Sequence, residues 1–467
     1  MKRGNHIDGK RASRRATLAV CLALAVWIAS AFPPIDPAVH AEEDTTDYSV
    51  APEVVAPSGV LMDMRSGKVL FEKDKDAQRE PAGTTKIMTA LLALENLKPE
   101  DAITVDEQTY ATDGSGLYLL AGETISVDNL MYALMLPAEN DVAAPLAKAI
   151  SGNVEAFAER MNARAAEIGA TGTHFVNPNG NHVDNHVSTA YDMALIAREA
   201  MKNEHFRRYA GAIEYILPAT NKQQERQIRN ANRLLYDESR SVMVYNRQRP
   251  ILCEGAIGVK TGYTAQAGNC IVASASRNGL ELIAVVMGAG STMVYADALE
   301  MLEYGFHNYE NITVFATGGK IAEIPVKGGK SKQVNAVFAQ DVNATVPKGV
   351  TAGALDVRVT SSGALDAPVT AGAVVGVATA YMGEEKLGES ALITESAVDK
   401  TELGKMIKAT GNVLSVIVKI VIGIIAVLAV WIAVVLIRAE LRKRNRRRRK
   451  LYNGATREVK RVKRIKH

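Results

Sequence analysis

The chain has 467 residues, 47% of them hydrophobic and 23% charged, a globular composition long enough for two domains with appended segments. Its net charge of +4 hides a division: residues 1–41 carry 6 Lys and Arg, residues 438–467 carry 15, and the body between them has a net charge of −13. An acidic body excludes a nucleic-acid-binding role for the main domains, so the basic character belongs to the two ends.

The N-terminal end is basic from Lys2 to Arg15 and apolar from Ala16 to Phe32, with Val39-His40-Ala41 before Glu42-Glu43. That order reads as a signal peptide over 1–41, cleaved after Ala41. The alternative is a retained anchor, for which the apolar run is short. Residues 42–53 are a polar, acidic linker.

From Val54 the pattern turns globular. Ser58 to Met64 and Val69 to Glu72 read as paired strands around the turn Arg65-Ser66-Gly67-Lys68. A helix is predicted over 84–96, with Thr84 and Thr85 as capping candidates and Ile87, Leu91 and Leu94 at helical spacing. Lys86 sits one turn into it, either solvated at the helix edge or held inside as a base. Ala102 to Val105 is a short strand. Ser126 or Asp128 caps a helix bearing Leu130, Leu134 and Met135, and Ala138-Glu139-Asn140 falls in the break after it. Helices follow over Asp141 to Ile150, Asn153 to Ile168 and Thr189 to Met201.

The loop after His174 carries His182 and His186. No His-x-x-x-His pair lies on a predicted helix, so no metal centre is expected. Ile257 to Tyr263, Asn269 to Ala275 and Leu280 to Met287 are three strands, closed by a helix over Met293 to Phe306. With the hairpin turning near Ala265, Cys270 faces roughly Thr261. Cys253 then lies about 27 Å away along the strand, too far for a disulfide.

Residues 311–395 alternate short Val, Ala and Thr strands, such as Ile321 to Val326 and Val374 to Ala378, with Gly-rich turns. Val413 to Ile437 is apolar except for Ser415 and Lys419 and is long enough to span a bilayer. The block Arg442 to Lys450 behind it predicts a cytoplasmic tail over 438–467 that meets anionic lipids.

Three stretches, in this order, carry a resemblance. Lys86 lies one turn into the helix after Gly83, Ala138-Glu139-Asn140 follows an apolar helix, and Lys260-Thr261-Gly262 lies on a strand. This arrangement resembles the Ser-x-x-Lys, Ser-x-Asn and Lys-Thr-Gly motifs of the serine penicillin-binding fold. The flanking stretches, including Asn230-Ala231-Asn232-Arg233-Leu234-Leu235, narrow it to the D-alanyl-D-alanine carboxypeptidases of peptidoglycan, over roughly 54–395. The resemblance implies an α/β, beta-lactamase-like domain over 54–310, with a mainly antiparallel sheet and helices on both sides. It also implies a small all-β domain over 311–395, ahead of the transmembrane helix at 413–437.

In that family the first-motif serine attacks the carbonyl of a terminal D-Ala-D-Ala, and the lysine takes its proton. The second-motif serine relays a proton to the leaving amine, its asparagine holds the substrate amide, and the Lys-Thr-Gly strand binds the backbone and free carboxylate. Carried over, Lys86 is the base position, and Asn140, Lys260, Thr261 and Gly262 remain. Gly83 stands at the nucleophile position and Ala138 at the second serine, and neither has a hydroxyl. Thr84 should point about 100° away from Lys86, and Ser115 has no base nearby in sequence. Glu139 adds a negative charge or points outward.

The reading is a non-catalytic member that binds stem peptides ending in D-Ala-D-Ala, or a cell-wall enzyme, at the outer face of the cytoplasmic membrane, without a cofactor. The alternatives are an active carboxypeptidase with an unusual nucleophile and a membrane-anchored scaffold with a dead pocket.

Overall fold

The computed structural model describes residues 46–107, 116–137 and 139–463. The predicted signal peptide, Ser115 and Ala138 lie outside the described residues.

Strands β1 (Ser58–Asp63) and β2 (Val69–Lys73) open the first domain. A 3-10 turn, Ala82–Thr85, leads into helix α1 (Lys86–Asn96). The short pair β3 (Ala102–Thr104) and β4 (Thr124–Ser126) precedes α2 (Val127–Met135), α3 (Ala143–Ser151), α4 (Val154–Ile168), α5 (Ala190–Ala200) and α6 (Glu204–Gly211). Two hairpins follow, β5 (Glu214–Leu217) with β6 (Arg226–Arg229) and β7 (Ser241–Val244) with β8 (Arg247–Pro250). The domain closes with β9 (Ala256–Thr264), β10 (Gly268–Arg277), β11 (Leu280–Ala289) and α7 (Met293–Asn308).

Helices α2, α4, α5 and α6 begin where short polar side chains occupy orphan backbone donors. Ser126 accepts from Asn129 N, Asn153 from Ala156 N and Thr189 from Asp192 N. The caps expected at Thr84 and Thr85 are not made. Both side chains bond elsewhere, to Pro81 O and His186, as described below.

The main sheet runs β2-β1-β11-β10-β9, every neighbour antiparallel. Its strands are apolar on both faces, so alternate residues enter separate cores. Val60, Met62, Val272, Ile283 and Val285 pack on the side of α1 and α5. Leu61, Ile271, Ala273, Leu282 and Val286 pack on the side of α7. Buried Asp297 on α7 accepts hydrogen bonds from Val55 N (3.0 Å) and Ala56 N (2.7 Å), fixing the start of the domain.

In the β9–β10 pairing Cys270 lies opposite Gly262, and Thr261 opposite Ile271, one position from the sequence expectation. Cys253 and Cys270 are free, buried thiols, and burial pushes both up to about 11.

The second domain contains β12 (Tyr309–Phe315), β13 (Lys320–Lys327), β14 (Gln333–Phe338), β15 (Val342–Pro347), β16 (Asp356–Ser361), β17 (Leu365–Asp366), β18 (Val374–Met382) and β19 (Glu385–Thr394). β12 pairs with β15, and the others form a sheet ordered β16-β18-β19-β14-β13-β17. Phe315 and Phe338 stack at 4.4 Å between ring centroids in its core.

Helix α8 (Glu402–Lys463) follows. Its stretch Ser415–Arg448 is long and apolar enough to cross a membrane. Large side chains there, such as Ile424 and Trp431, are exposed, as expected of a lipid-facing segment.

Candidate functional site

Lys86 is held inside: it opens α1 and is only 1% exposed. Its Nζ donates to Asn140 Oδ1 and to the Asn179 carbonyl, each at 2.7 Å. Asn140 Nδ2 donates in turn to Asn181 Oδ1 at 2.9 Å. The loop presenting these acceptors is tied by its own amides: Gly180 N donates to Asn177 Oδ1 (2.7 Å) and Asn181 N to Asn179 Oδ1 (3.0 Å). Gly180 has φ +82°, and a Cβ there would meet the Ala82 carbonyl oxygen at 1.8 Å, so only glycine lets this loop close on the 3-10 turn.

The hydroxyls beside Lys86 in sequence are committed elsewhere. Thr84 Oγ1 donates to the Pro81 carbonyl at 2.6 Å, turned away from Lys86 as the helical geometry predicts. Thr85 Oγ1 lies 2.9 Å from His186 Nε2. Val176 N donates to His186 Nδ1 at 3.0 Å, so Nε2 carries the ring proton and donates to Thr85. Burial pushes His186 down to about 4, with the nearby charge of His174 assisting, and the ring is neutral at physiological pH.

Strand β9 brings the third stretch against the 3-10 turn. A Cβ on Gly262 would stand 2.4 Å from Gly83 N and 2.7 Å from Thr84 N, so a side chain there would drive the strand from the turn. A Cβ on Gly83 would meet Gly262 Cα at 3.2 Å, Thr261 O at 3.3 Å and Lys86 Nζ at 3.7 Å. A side chain at position 83 would therefore lie beside the Lys86 amine.

Lys260, adjacent on β9, is also 1% exposed. Its Nζ is sealed from solvent and has no hydrogen-bond partner among the described residues. Burial drives both amines down to about 7, and the positive charge of Lys260 lowers Lys86 further. The Glu139 carboxylate opposes this at both amines, and Asp141 opposes it at Lys86. Glu139 therefore acts electrostatically on both lysines. Asp141, 2% exposed, accepts from Leu117 N (2.9 Å) and Leu119 N (3.0 Å), anchoring the stretch that precedes β4.

These elements enclose a cleft of about 890 Å³. Gly83, Lys86, Asn140, Thr261 and Gly262 all line it, and Lys260 lies behind its wall. The roles of Asn179, Asn181 and His186 were not read from the sequence. The amide-dense run Asn177 to Asn181 was the available signal, since closely spaced asparagines around a glycine mark a loop braced by its own side chains. Arg233 and Arg240 also line the cleft; Arg233 belongs to the Asn230 to Leu235 stretch that carried the family resemblance, and nothing in the sequence around Arg240 marks it.

The family model described as D-alanyl-D-alanine carboxypeptidase matches residues 45–291, and that of the penicillin-binding protein 5 C-terminal domain matches residues 309–400. The chain is 31% identical over 362 residues to the D-alanyl-D-alanine carboxypeptidase DacF of Bacillus subtilis, covering 76% of this chain and 89% of that protein. It is 31% identical over 356 residues to DacA of Escherichia coli K12, covering 73% and 83%. Among solved structures, penicillin-binding protein 5 from Haemophilus influenzae superposes with a TM-score of 0.60 at 28% identity, covering 75% of this chain and 99% of that one.

Proposed function

We propose, from the premise that this chain belongs to the D-alanyl-D-alanine carboxypeptidase family of peptidoglycan metabolism, that it is a non-catalytic member that binds stem peptides ending in D-Ala-D-Ala. In this reading Gly83 and Ala138 occupy the positions where the family uses two serine hydroxyls, and Lys86 is a base without a nucleophile to activate. Asn140, Thr261 and Gly262 keep the binding half of the site, and Lys260 adds positive potential from behind the strand. The alternative partner in this reading is a cell-wall enzyme.

The observation that carries this reading is the environment of Lys86. The position that would face its amine is Gly83, and the hydroxyls of Thr84 and Thr85 are bonded to Pro81 O and His186. Loss of a nucleophile costs on the order of 10⁶ in rate, and losses within one catalytic unit do not add.

The location follows from the two ends. The signal peptide exports the body, the apolar stretch of α8 holds it at the cytoplasmic membrane, and the basic tail remains inside against anionic lipids. Incubation with a fluorescent penicillin, followed by intact mass measurement, tests the central claim. No covalent adduct and no release of D-Ala from a pentapeptide are expected, and a stoichiometric adduct would overturn the reading.

A further inference from the structure

The larger sheet of the second domain has two edges of different kinds. One edge is β17, which is two residues long and offers little backbone to a neighbour. The other is β16, six residues reading Asp-Val-Arg-Val-Thr-Ser. It pairs with β18 in one continuous register, Asp356↔Tyr381 through Ser361↔Gly376, with no bulge. It contains no proline and no lysine. Short strands, bulges, prolines and lysines keep an edge from pairing again, and β16 has none of these.

The ladder fixes which backbone groups point outward. Ser362, one step beyond the Ser361↔Gly376 pair, donates its N–H to the Val375 carbonyl at 2.8 Å. Hydrogen-bonded pairs alternate along an antiparallel ladder, so Thr360, Arg358 and Asp356 bond to β18. The N–H and C=O groups of Val357, Val359 and Ser361 face away from the sheet and meet no backbone partner among the described residues. Val357 packs against the core of the domain, whereas Val359 is 41% exposed. Arg358 lies on the other face, 4.2 Å from the Tyr381 ring centroid, with its Nε 2.9 Å from Asp356 Oδ2.

We infer that β16 is a self-pairing edge: two copies of this chain join their β16 strands antiparallel about a two-fold axis at Val359. In this register Val359 stands opposite Val359 of the second copy, and Val357 opposite Ser361 in both directions. All three outward residues are then paired, the exposed Val359 side chains cover each other, and Arg358 stands opposite Thr360. Setting Val357 against Val359 instead would place Arg358 opposite Arg358, like charges face to face. Larger shifts in either direction run an outward residue past the end of the other strand. The edge is therefore complementary to itself, as a two-fold contact between identical chains requires. This inference stands apart from the peptide-binding reading and uses none of the cleft residues.

Disulfide trapping in the full chain, in detergent, reads the contact. Cys253 and Cys270 are buried, and the natural protein is the blank for any disulfide made by its own cysteines. Under mild oxidation Val359→Cys should give a disulfide-linked dimer at least about tenfold faster than Val374→Cys, because pairing turns a chance collision into a reaction between held neighbours. Val374 is the control: it is 69% exposed but lies on β18, one strand in from the edge. The register is read by mixing Val357→Cys with Ser361→Cys, which should cross-link together and not singly. Adding Val359→Lys to both members of that mixture should reduce the product about tenfold or more, since two lysines then meet at the axis. Melting curves establish that each variant is folded. Equal rates for Val359→Cys and Val374→Cys overturn the inference. So do a Val357→Cys product as large as that of the mixture, and a mixture undiminished by Val359→Lys. A Val359→Cys protein that stays monomeric when purified and links to another polypeptide in cells gives the edge a different occupant, and overturns it too.

Discussion

Lys86 Nζ and Asn140 Oδ1 meet at 2.7 Å, joining two stretches 54 residues apart in the chain. A buried amine is stable only with acceptors in reach, and Asn140 with the Asn179 carbonyl supplies two. The Lys86 amine is thereby held at the cleft wall beside the space over Gly83. In the proposed reading this is the geometry of a base with no hydroxyl at position 83 to deprotonate.

Restoring the hydroxyl follows from this arrangement. A Cβ at Gly83 comes within 3.2 Å of Gly262 Cα and 3.3 Å of Thr261 O, so β9 must yield by a few tenths of an ångström. Gly83→Ser should fold at a cost of about 1 kcal/mol. It should acylate slowly with penicillin, because the relay hydroxyl is still missing at Ala138. Gly83→Ser with Ala138→Ser should acylate faster, as read by intact mass against time. An inert, correctly folded double variant would place the defect beyond the two hydroxyls, with Glu139 the next residue to change.

Lys260 should be a liability to stability. Its folded-state value is about 7 against an ordinary 10.5, so between those two pH values the unfolded chain binds more protons than the folded one. Stability therefore rises as pH is raised through that window, and the burial penalty is fully present below pH 7. Lys86 contributes with the same sign, and the carboxylates of Glu139 and Asp141 moderate the effect. Because Lys260 Nζ has no hydrogen bond to lose among the described residues, Lys260→Met should raise the melting temperature most at pH 6, by the equivalent of about 1–4 kcal/mol. The advantage should shrink toward pH 10. A lower melting temperature for the variant at pH 6 would contradict this.

Gly262 should tolerate no side chain. The 2.4 Å approach of an added Cβ to Gly83 N is to backbone, which cannot rotate away. Gly262→Ala should cost about 3 kcal/mol or more and separate β9 from the 3-10 turn. Thermal melts of the variant, with peptide titration on whatever remains folded, check this.

The orientation across the membrane has its own test. Protease added to intact protoplasts should remove residues 42–400 and spare an epitope at the C-terminus. Loss of the epitope would reverse the assigned topology.

Much of the fold was legible in the sequence because it is written in local periodicity. Apolar runs between turns marked β1, β2 and β9 to β11, and helices were expected over Asn153 to Ile168 and Thr189 to Met201; of the two cap candidates Ser126 and Asp128, Ser126 makes the bond. The family was legible because the stretches that resemble its three motifs keep their order, and that Gly83 and Ala138 carry no hydroxyl is a fact of sequence alone. Whether Lys86 was solvated or buried was open, because a lysine at a helix start has the same sequence neighbours in either case. Its burial depends on a loop ninety-odd residues away that delivers the Asn179 carbonyl. Adjacent residues of β9 likewise divide between the cleft and the interior, Thr261 facing the first and Lys260 the second. Successive side chains of a strand point to opposite faces, and only packing decides which face is which. Arg233 reached the cleft in the same way: the turn Arg233–Leu235 was laid against the strand that carries Thr261, a contact its sequence does not show.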